Sequence, residues 1–179
     1  RHVSGVVADR CVTADKGSPI IAVGFLVHGA DAFAQGRKVL VLTERTDHLD
    51  AIGVALDGLE PALFVLHGRM SRKQRAALVA SLDALPSDAP RVLLSTGKLV
   101  GEGFDHPPLD TLVLAMPVSW KGTLQQYAGR LHREHASKTD VRIIDFVDIG
   151  HPALLRMWGK RQRGYRAMGY RMGAGDTLA

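Results

Sequence analysis

Lys38-Val-Leu-Val-Leu-Thr43 is a short, unbroken apolar run, the pattern of a parallel strand covered on both faces. Similar runs recur at 62–66, 91–95, 111–115 and 141–147. Between them lie segments with helical periodicity. Ser18 before Pro19 is an N-cap followed by Pro at the first helical position, which predicts a mostly apolar helix over 20–35 closed by Gly36. Further helices are expected over 47–56, over 71–85 with Ser71 as its cap, and over 123–134, while Pro86 and Pro90 mark a turn. Strand and helix alternate, which implies an α/β domain: a parallel sheet wound by right-handed crossovers, with helices on both faces. Ligands in such folds gather beyond the carboxyl ends of the strands, here Thr43-Glu-Arg, His67-Gly-Arg, Ser95-Thr-Gly and Met116-Pro.

The chain has 179 residues, 46% of them hydrophobic, enough for one substantial core. No apolar run approaches the roughly 20 residues that cross a bilayer, and no signal-peptide pattern opens the chain. The expected setting is the cytoplasm, with no membrane partner. The single cysteine, Cys11, excludes an internal disulfide and a cysteine metal cluster. His67, His106, His132 and His135 lie on different elements without carboxylate or thiol partners at ligand spacing, so no metal site is expected. No Ser stands in a Gly-x-Ser-x-Gly turn, which removes that route to a nucleophile. The net charge of +5 lies wholly in the tail: residues 1–150 hold 17 basic and 17 acidic side chains, and residues 151–179 hold 6 and 1. We therefore expect a lead-in at 1–17, a domain at 18–150 and a basic helical tail at 151–179. That tail either lies on nucleic acid or packs its Trp and Tyr residues onto the domain. The chain starts at Arg1 rather than Met, as a fragment would.

Three constellations carry chemistry. In Gln126-Tyr-Ala-Gly-Arg-Leu-His-Arg133, about 100° per residue brings Gln126, Arg130 and Arg133 within roughly 60° of one another. Leu124, Tyr127, Ala128 and Leu131 gather opposite, so the helix has a core face and a cationic face suited to phosphate oxygens. Gly129 leaves room for a backbone or nucleotide to approach. Read alone, the same stripe is also a solvated basic face. Next, Ser95-Thr-Gly-Lys-Leu-Val-Gly-Glu-Gly-Phe-Asp105 is a glycine-rich loop after a strand. It can expose backbone N–H groups and set Asp105 against ribose hydroxyls, or simply connect two elements. Finally, Leu66-His-Gly-Arg-Met-Ser-Arg-Lys-Gln-Arg75 gathers cations at a helix start, where the dipole disfavours them unless an anion binds.

Together these segments, over roughly 18–148, resemble the second RecA-like domain of superfamily 2 helicases and translocases, most closely the DEAD/DEAH-type restriction-subunit helicases. The run 39–43 with Glu44-Arg45 is similar to motif IV, and His67-Gly68 with Gln74-Arg75 to the backbone-touching segment after it. Ser95-Thr96 through Asp105 is similar to motif V, and 126–133 to motif VI. The resemblance implies that Arg130 and Arg133 are arginine fingers reaching ATP across a cleft, and that Gly103 and Asp105 contact the nucleotide. Gln126 and Gly129 would stand beside the phosphates, Gln126 coupling the two sites. Thr43, Arg45, Gly68, Arg75 and Thr96 would line a DNA or RNA strand. It also implies ATP and Mg²⁺ as cofactors. Yet neither a Walker A sequence nor a helicase-type acidic Walker B motif is present. The phosphates and metal would thus be held by a Walker-bearing RecA-like domain, expected on the same full-length chain, and this chain alone is expected to be inactive. A role in restriction or defence follows from the resemblance only. A stand-alone nucleic-acid-binding module of this fold is the alternative, and a doubly wound small-molecule enzyme a third.

Overall fold

The computed structural model describes residues 3–11, 29–44, 46–56, 58, 62–101, 104–115, 124–148 and 150–174. Its strands are β1 (Val3–Cys11), β2 (Lys38–Thr43), β3 (Leu63–Leu66), β4 (Arg91–Thr96), β5 (Thr111–Leu114), β6 (Asp140–Asp148) and β7 (Arg171–Ala174). Its helices are α1, described over 29–34, then α2 (Thr46–Ala55), α3 (Arg72–Asp83), α4 (Gly97–Gly101), α5 (Gln125–Leu131) and α6 (Pro152–Ala167). All pairings are parallel, in the order β3-β4-β2-β5-β6-β1-β7.

The expected alternation and two-faced sheet are present, with β2 spanning the run that opened the reading. Period-two alternation divides its side chains between two cores. Leu40 and Leu42 pack with Leu93, Leu112 and Ile143 under Tyr127, Ala128, Leu131 and Tyr165. Val39 and Val41 pack with Val92, Val113 and Ile144 under Ala32, Leu49 and Ile52. Each such side chain contributes about 1.5–3 kcal/mol by leaving water. At α3 the expected cap forms as a reciprocal box: Ser71 Oγ accepts from Gln74 N at 3.2 Å, and Ser71 N donates to Gln74 Oε1 at 2.8 Å. Gly36, at φ 77°, follows α1 in the left-handed conformation that closes many helices. Ser18, Pro19 and the first part of that helix lie outside the described residues.

Three elements depart from the sequence expectation. Five strands were expected and seven form among the described residues, because β1 pairs with both β6 and β7. Its sequence, Val-Ser-Gly-Val-Val-Ala-Asp-Arg-Cys, breaks the apolar run that marks the other strands. Within the expected helical tail, Arg171–Ala174 is strand rather than helix, bound edgewise to β1. And Gly97–Gly101, expected as loop, forms a short helix that buries Leu99 and Val100.

The amino edge of the sheet is closed by charge. Arg37 Nη1 meets Asp140 Oδ1 at 2.7 Å and its Nε lies 3.4 Å from Asp110 Oδ1, while Lys38 N donates to Asp110 Oδ1 at 3.2 Å. A second ionic tie binds α6 to β6. Arg161 donates through Nε and Nη2 to the two oxygens of Asp145, at 2.7 and 3.0 Å, and Tyr165 OH adds a bond at 2.8 Å. Asp145 is fully buried and Arg161 is 2% exposed, so neither charge has water to fall back on. Replacing Asp145 with Ala would strand the guanidinium in the core. We expect a loss of about 3–5 kcal/mol, read as a lower denaturation midpoint in urea. A loss below about 1 kcal/mol would mean that the pair does not hold α6 in place.

Candidate functional site

The carboxyl edge of the sheet collects the residues singled out in the sequence. Strand register sets Leu66 beside Ser95 and Thr43 beside Thr96, so His67, Thr96 and Thr43 follow one another across the ends of β3, β4 and β2. Gly68 is exposed, and Thr96 and Arg75 are half-buried. Thr43 is wholly buried, so in this conformation it touches no strand directly, contrary to the role expected of it. Its Oγ1, His67 Nδ1 and Arg75 Nε are buried without a partner among the described residues. Three unsatisfied polar atoms along one sheet edge are uncommon, since buried polar groups are nearly always paired. Arg45 and Gly103 lie outside the described residues.

At α5 the two-faced reading holds. Leu124, Tyr127, Ala128 and Leu131 are buried, Gln126 and Gly129 are exposed, and Arg130 is half-buried. A Cβ built on Gly129 would meet nothing within 4 Å, so the surface beside Arg130 is open. The helix ends at Leu131 rather than reaching 134 as expected, and Arg133 stands in the turn that follows, its N bonded to Arg130 O at 3.1 Å.

Gly97, Val100, Phe104 and Asp105 are fastened to α5 and the turn after it by three side chains. Tyr127 OH donates to Gly97 O. Arg130 Nη1 donates to Val100 O and, at 2.7 Å, to Phe104 O. Arg133 Nη1 pairs with Asp105 Oδ2, and both remain partly exposed. Asp105, expected to face a ribose, here faces Arg133. Beneath lies a cavity of about 20 Å³ lined by Leu40, Val100, Phe104, Leu109, Tyr127 and Arg130 among others, room for about one water and not for a nucleotide. Among the described residues no group of acids, histidines or cysteines could hold a metal ion.

Two supports of this assembly escaped the sequence reading. Lys138 Nζ donates to Leu131 O at 2.9 Å and Arg133 O at 2.8 Å, filling carbonyls that a helix end leaves bare. Burial pulls its pKa down to about 8 against the attraction of Asp110 and Asp105. His106, weighed in the sequence only as a metal ligand, sits between Asp83 Oδ1 at 2.9 Å from Nδ1 and Arg91 Nη1 at 3.0 Å from Nε2. Since Arg91 can only donate, Nε2 accepts and Nδ1–H donates to Asp83. Burial holds His106 below its ordinary pKa, and the nearby Arg91 adds to that. Arg91 in turn caps α3 through Leu82 O, at 3.2 Å, and ties down Ala89 O at 3.1 Å. No spacing rule would have found Lys138 or His106, because their partners are backbone carbonyls or distant in sequence.

Comparison with known proteins bears on the same region. The family described as "Helicase conserved C-terminal domain" matches residues 23–135. An uncharacterised protein, 108L of Invertebrate iridescent virus 3, is 42% identical over 82 residues, 44% of this chain and 71% of that protein. Among solved structures, UvsW of T4 superposes with a TM-score of 0.70 at 15% identity, over 96% of this chain and 41% of that one. Dbp5 of S. cerevisiae, bound to RNA and ADP BeF3, superposes with a TM-score of 0.65 at 15% identity, over 97% and 42%. The chain thus spans less than half the length of both structures. The architecture is the RecA-like fold of helicase C-terminal domains.

Lys138 offers a direct check on how α5 is held. Its folded pKa lies below that of an unfolded lysine, so between about pH 8 and pH 10.4 the unfolded chain binds the extra proton. This group's contribution to stability therefore rises with pH across that window. NMR of labelled lysine carbons should show one Nζ titrating near pH 8, absent in Lys138→Met. A lysine set titrating wholly near pH 10.4 would contradict the buried cap.

Proposed function

This chain belongs to the helicase conserved C-terminal domain family, and from that membership we propose that it is the second motor domain of an ATP-dependent DNA or RNA helicase or translocase. The observation that carries the reading is the grip of α5 on the stretch 97–105. It presents two guanidinium groups beside an open surface at Gly129, and the residues it grips begin directly after Thr96 at the end of β4.

The residues present suit one half of a phosphoryl-transfer site. Guanidinium groups suit phosphate oxygens, and the described residues, without clustered carboxylates, do not suit Mg²⁺. ATP with Mg²⁺, held by a Walker-bearing domain, would supply the phosphoryl group and the free energy of its transfer. The work of this chain is narrower. Arg130, with one nitrogen committed to two carbonyls, keeps its other N–H groups available and fixed in direction. Arg133 exchanges Asp105 for phosphate oxygens when the lobes close, and Asp105 takes it back when they open. Gln126, exposed on the same helix, faces the same cleft. Charge built up during transfer is thereby met by donors set in place beforehand, which is where such sites gain most of their rate.

On the other side of the same edge, Gly68, Arg75 and Thr96 offer contacts to a nucleic-acid backbone, a role that the resemblance also gives to Arg45. Contacts of this kind do not read bases, so binding is sequence-tolerant and weakens with salt. Because Thr96 and the Arg130 acceptors lie on one short stretch, a shift of the strand contacts moves the arginines. The restriction-subunit likeness and a defence role are supported by the sequence resemblance alone, and a cytoplasmic setting by the sequence pattern alone. No helix among the described residues is long and apolar enough to cross a membrane.

The test is ATP turnover. In the full-length protein, Arg130→Ala should lower nucleic-acid-stimulated hydrolysis by about 10³- to 10⁵-fold, the range an arginine finger supplies. This chain by itself should hydrolyse Mg-ATP negligibly. Appreciable turnover by the isolated chain, abolished by Arg130→Ala, would instead place a complete active site within it.

A further inference from the structure

Helix α6 reads Pro-Ala-Leu-Leu-Arg-Met-Trp-Gly-Lys-Arg-Gln-Arg-Gly-Tyr-Arg-Ala, with five cations and no acid. The structure divides those cations into two classes. Arg161 turns inward: it is bound bidentately by Asp145, and its guanidinium carbon lies 5.5 Å from the Trp158 ring centroid. Of the cations of the basic tail, Arg161 is therefore committed inside the fold. Arg156, Lys160, Arg163 and Arg166 are all exposed. At about 100° per residue the first three fall within roughly 60° of one another and all four within roughly 120°, on the side away from Tyr165. None of these four side chains has a hydrogen-bond or ion-pair partner among the described residues.

Such a face is unfavourable left to itself. Like charges at i,i+3 and i,i+4 oppose the helix, and here three such pairs run in succession with no acid to relieve them. The helix is also not a loose tail. Asp145 pins it to β6, and Tyr170, just beyond it, donates to Ala128 O of α5 at 3.4 Å and meets the His132 ring edge-on at 4.9 Å. Tyr165 and Tyr170 share one core with Tyr127 and Leu131, so α6 and the arginine-bearing α5 cover the same face of the sheet. The stripe begins after residue 135, where the family match ends, and so is not part of what that match implies.

We propose that the exposed face of α6, formed by Arg156, Lys160, Arg163 and Arg166, is a second contact for the phosphate backbone of a nucleic acid, separate from the strand ends at Gly68, Arg75 and Thr96. A regular row of cations with no carboxylate complements a regular row of phosphates, and carries no means of reading bases. The choice of nucleic acid over another polyanion rests on the motor-domain reading above. The rigid docking of α6 beside α5 fixes this contact in register with the arginine helix.

Fluorescence anisotropy of the 179-residue chain with a labelled single-stranded DNA oligonucleotide and with its duplex, between about 50 and 200 mM salt, tests this. The variant Arg156→Gln, Lys160→Gln, Arg163→Gln, Arg166→Gln should keep or slightly raise the wild-type unfolding midpoint, since all four side chains are exposed and three like-charge pairs are relieved. It should bind at least about tenfold more weakly. Its salt slope should be shallower by about 0.7 for each phosphate no longer neutralised on a single strand, or about 0.9 on a duplex. Arg75→Ala serves as the separate probe of the strand-end contact. Weaker binding by the α6 variant, whether or not Arg75→Ala also binds more weakly, supports the stripe; unchanged binding after Arg75→Ala counts against the strand-end reading alone. Unchanged affinity and slope in the α6 variant overturn the stripe while leaving the motor reading intact. If the wild type binds polyglutamate through these four residues but DNA without them, the face serves an acidic protein and the proposal fails.

Discussion

Three side chains of one short helix region hold α4 and the residues just beyond it, after β4. Tyr127 takes Gly97 O, Arg130 takes Val100 O and Phe104 O, and Arg133 takes Asp105. Most of what distinguishes this domain from a generic wound sheet depends on that grip. It needs Leu124, Ala128 and Leu131 buried on the sheet, because only a helix fixed at its apolar side can present the other side in a set direction. It needs Lys138 to close the helix where it ends, so that Arg133 leaves the last turn at a defined point. And it needs His106 and Arg91 to fix the far end of this stretch against α3.

The two edges of the sheet use charge in opposite ways. At the amino ends, Arg37, Lys38, Asp110 and Asp140 neutralise one another over short distances. At the carboxyl ends, polar atoms of Thr43, His67 and Arg75 are buried without partners among the described residues, and Arg130 holds carbonyls rather than a full countercharge. An edge arranged for stability satisfies its groups internally, whereas one arranged for binding leaves some of that satisfaction to a ligand. Helix α6 repeats the division within one element, with Arg161 turned inward to Asp145 and four cations left outward.

How much of this could be read from the chain follows from the range of the interactions. Strands β2, β4, β5 and β6 were legible because a parallel strand covered on both faces must be apolar throughout, as in Lys38–Thr43. The two-faced character of α5 was legible from its spacing. Strand β1 was not: Ser4, Gly5, Asp9 and Arg10 interrupt its apolar pattern, and its place comes from backbone pairing with β6 and β7. The early end of α5 at Leu131 depends on Lys138, seven residues on, and the hydrogen bonds that orient His106 come from residues 15 and 23 positions away. The inward turn of Arg161 depends on Asp145, which periodicity alone cannot reveal. Motif spacing found the groups that face outward; the contacts that orient them appear only once the chain is folded.

If the grip on 97–105 is what presents the arginines, then Arg133 and Asp105 act as a single unit rather than as two independent contributors. A double-mutant cycle on kcat/KM for ATP in the full-length protein measures this most directly. The account predicts that Asp105→Ala combined with Arg133→Ala is no slower than Arg133→Ala alone, within about twofold, because Asp105 works through the arginine that it holds. Losses that multiply would mean that the two residues serve turnover separately, and would contradict the claim that this contact presents the arginine to its phosphate.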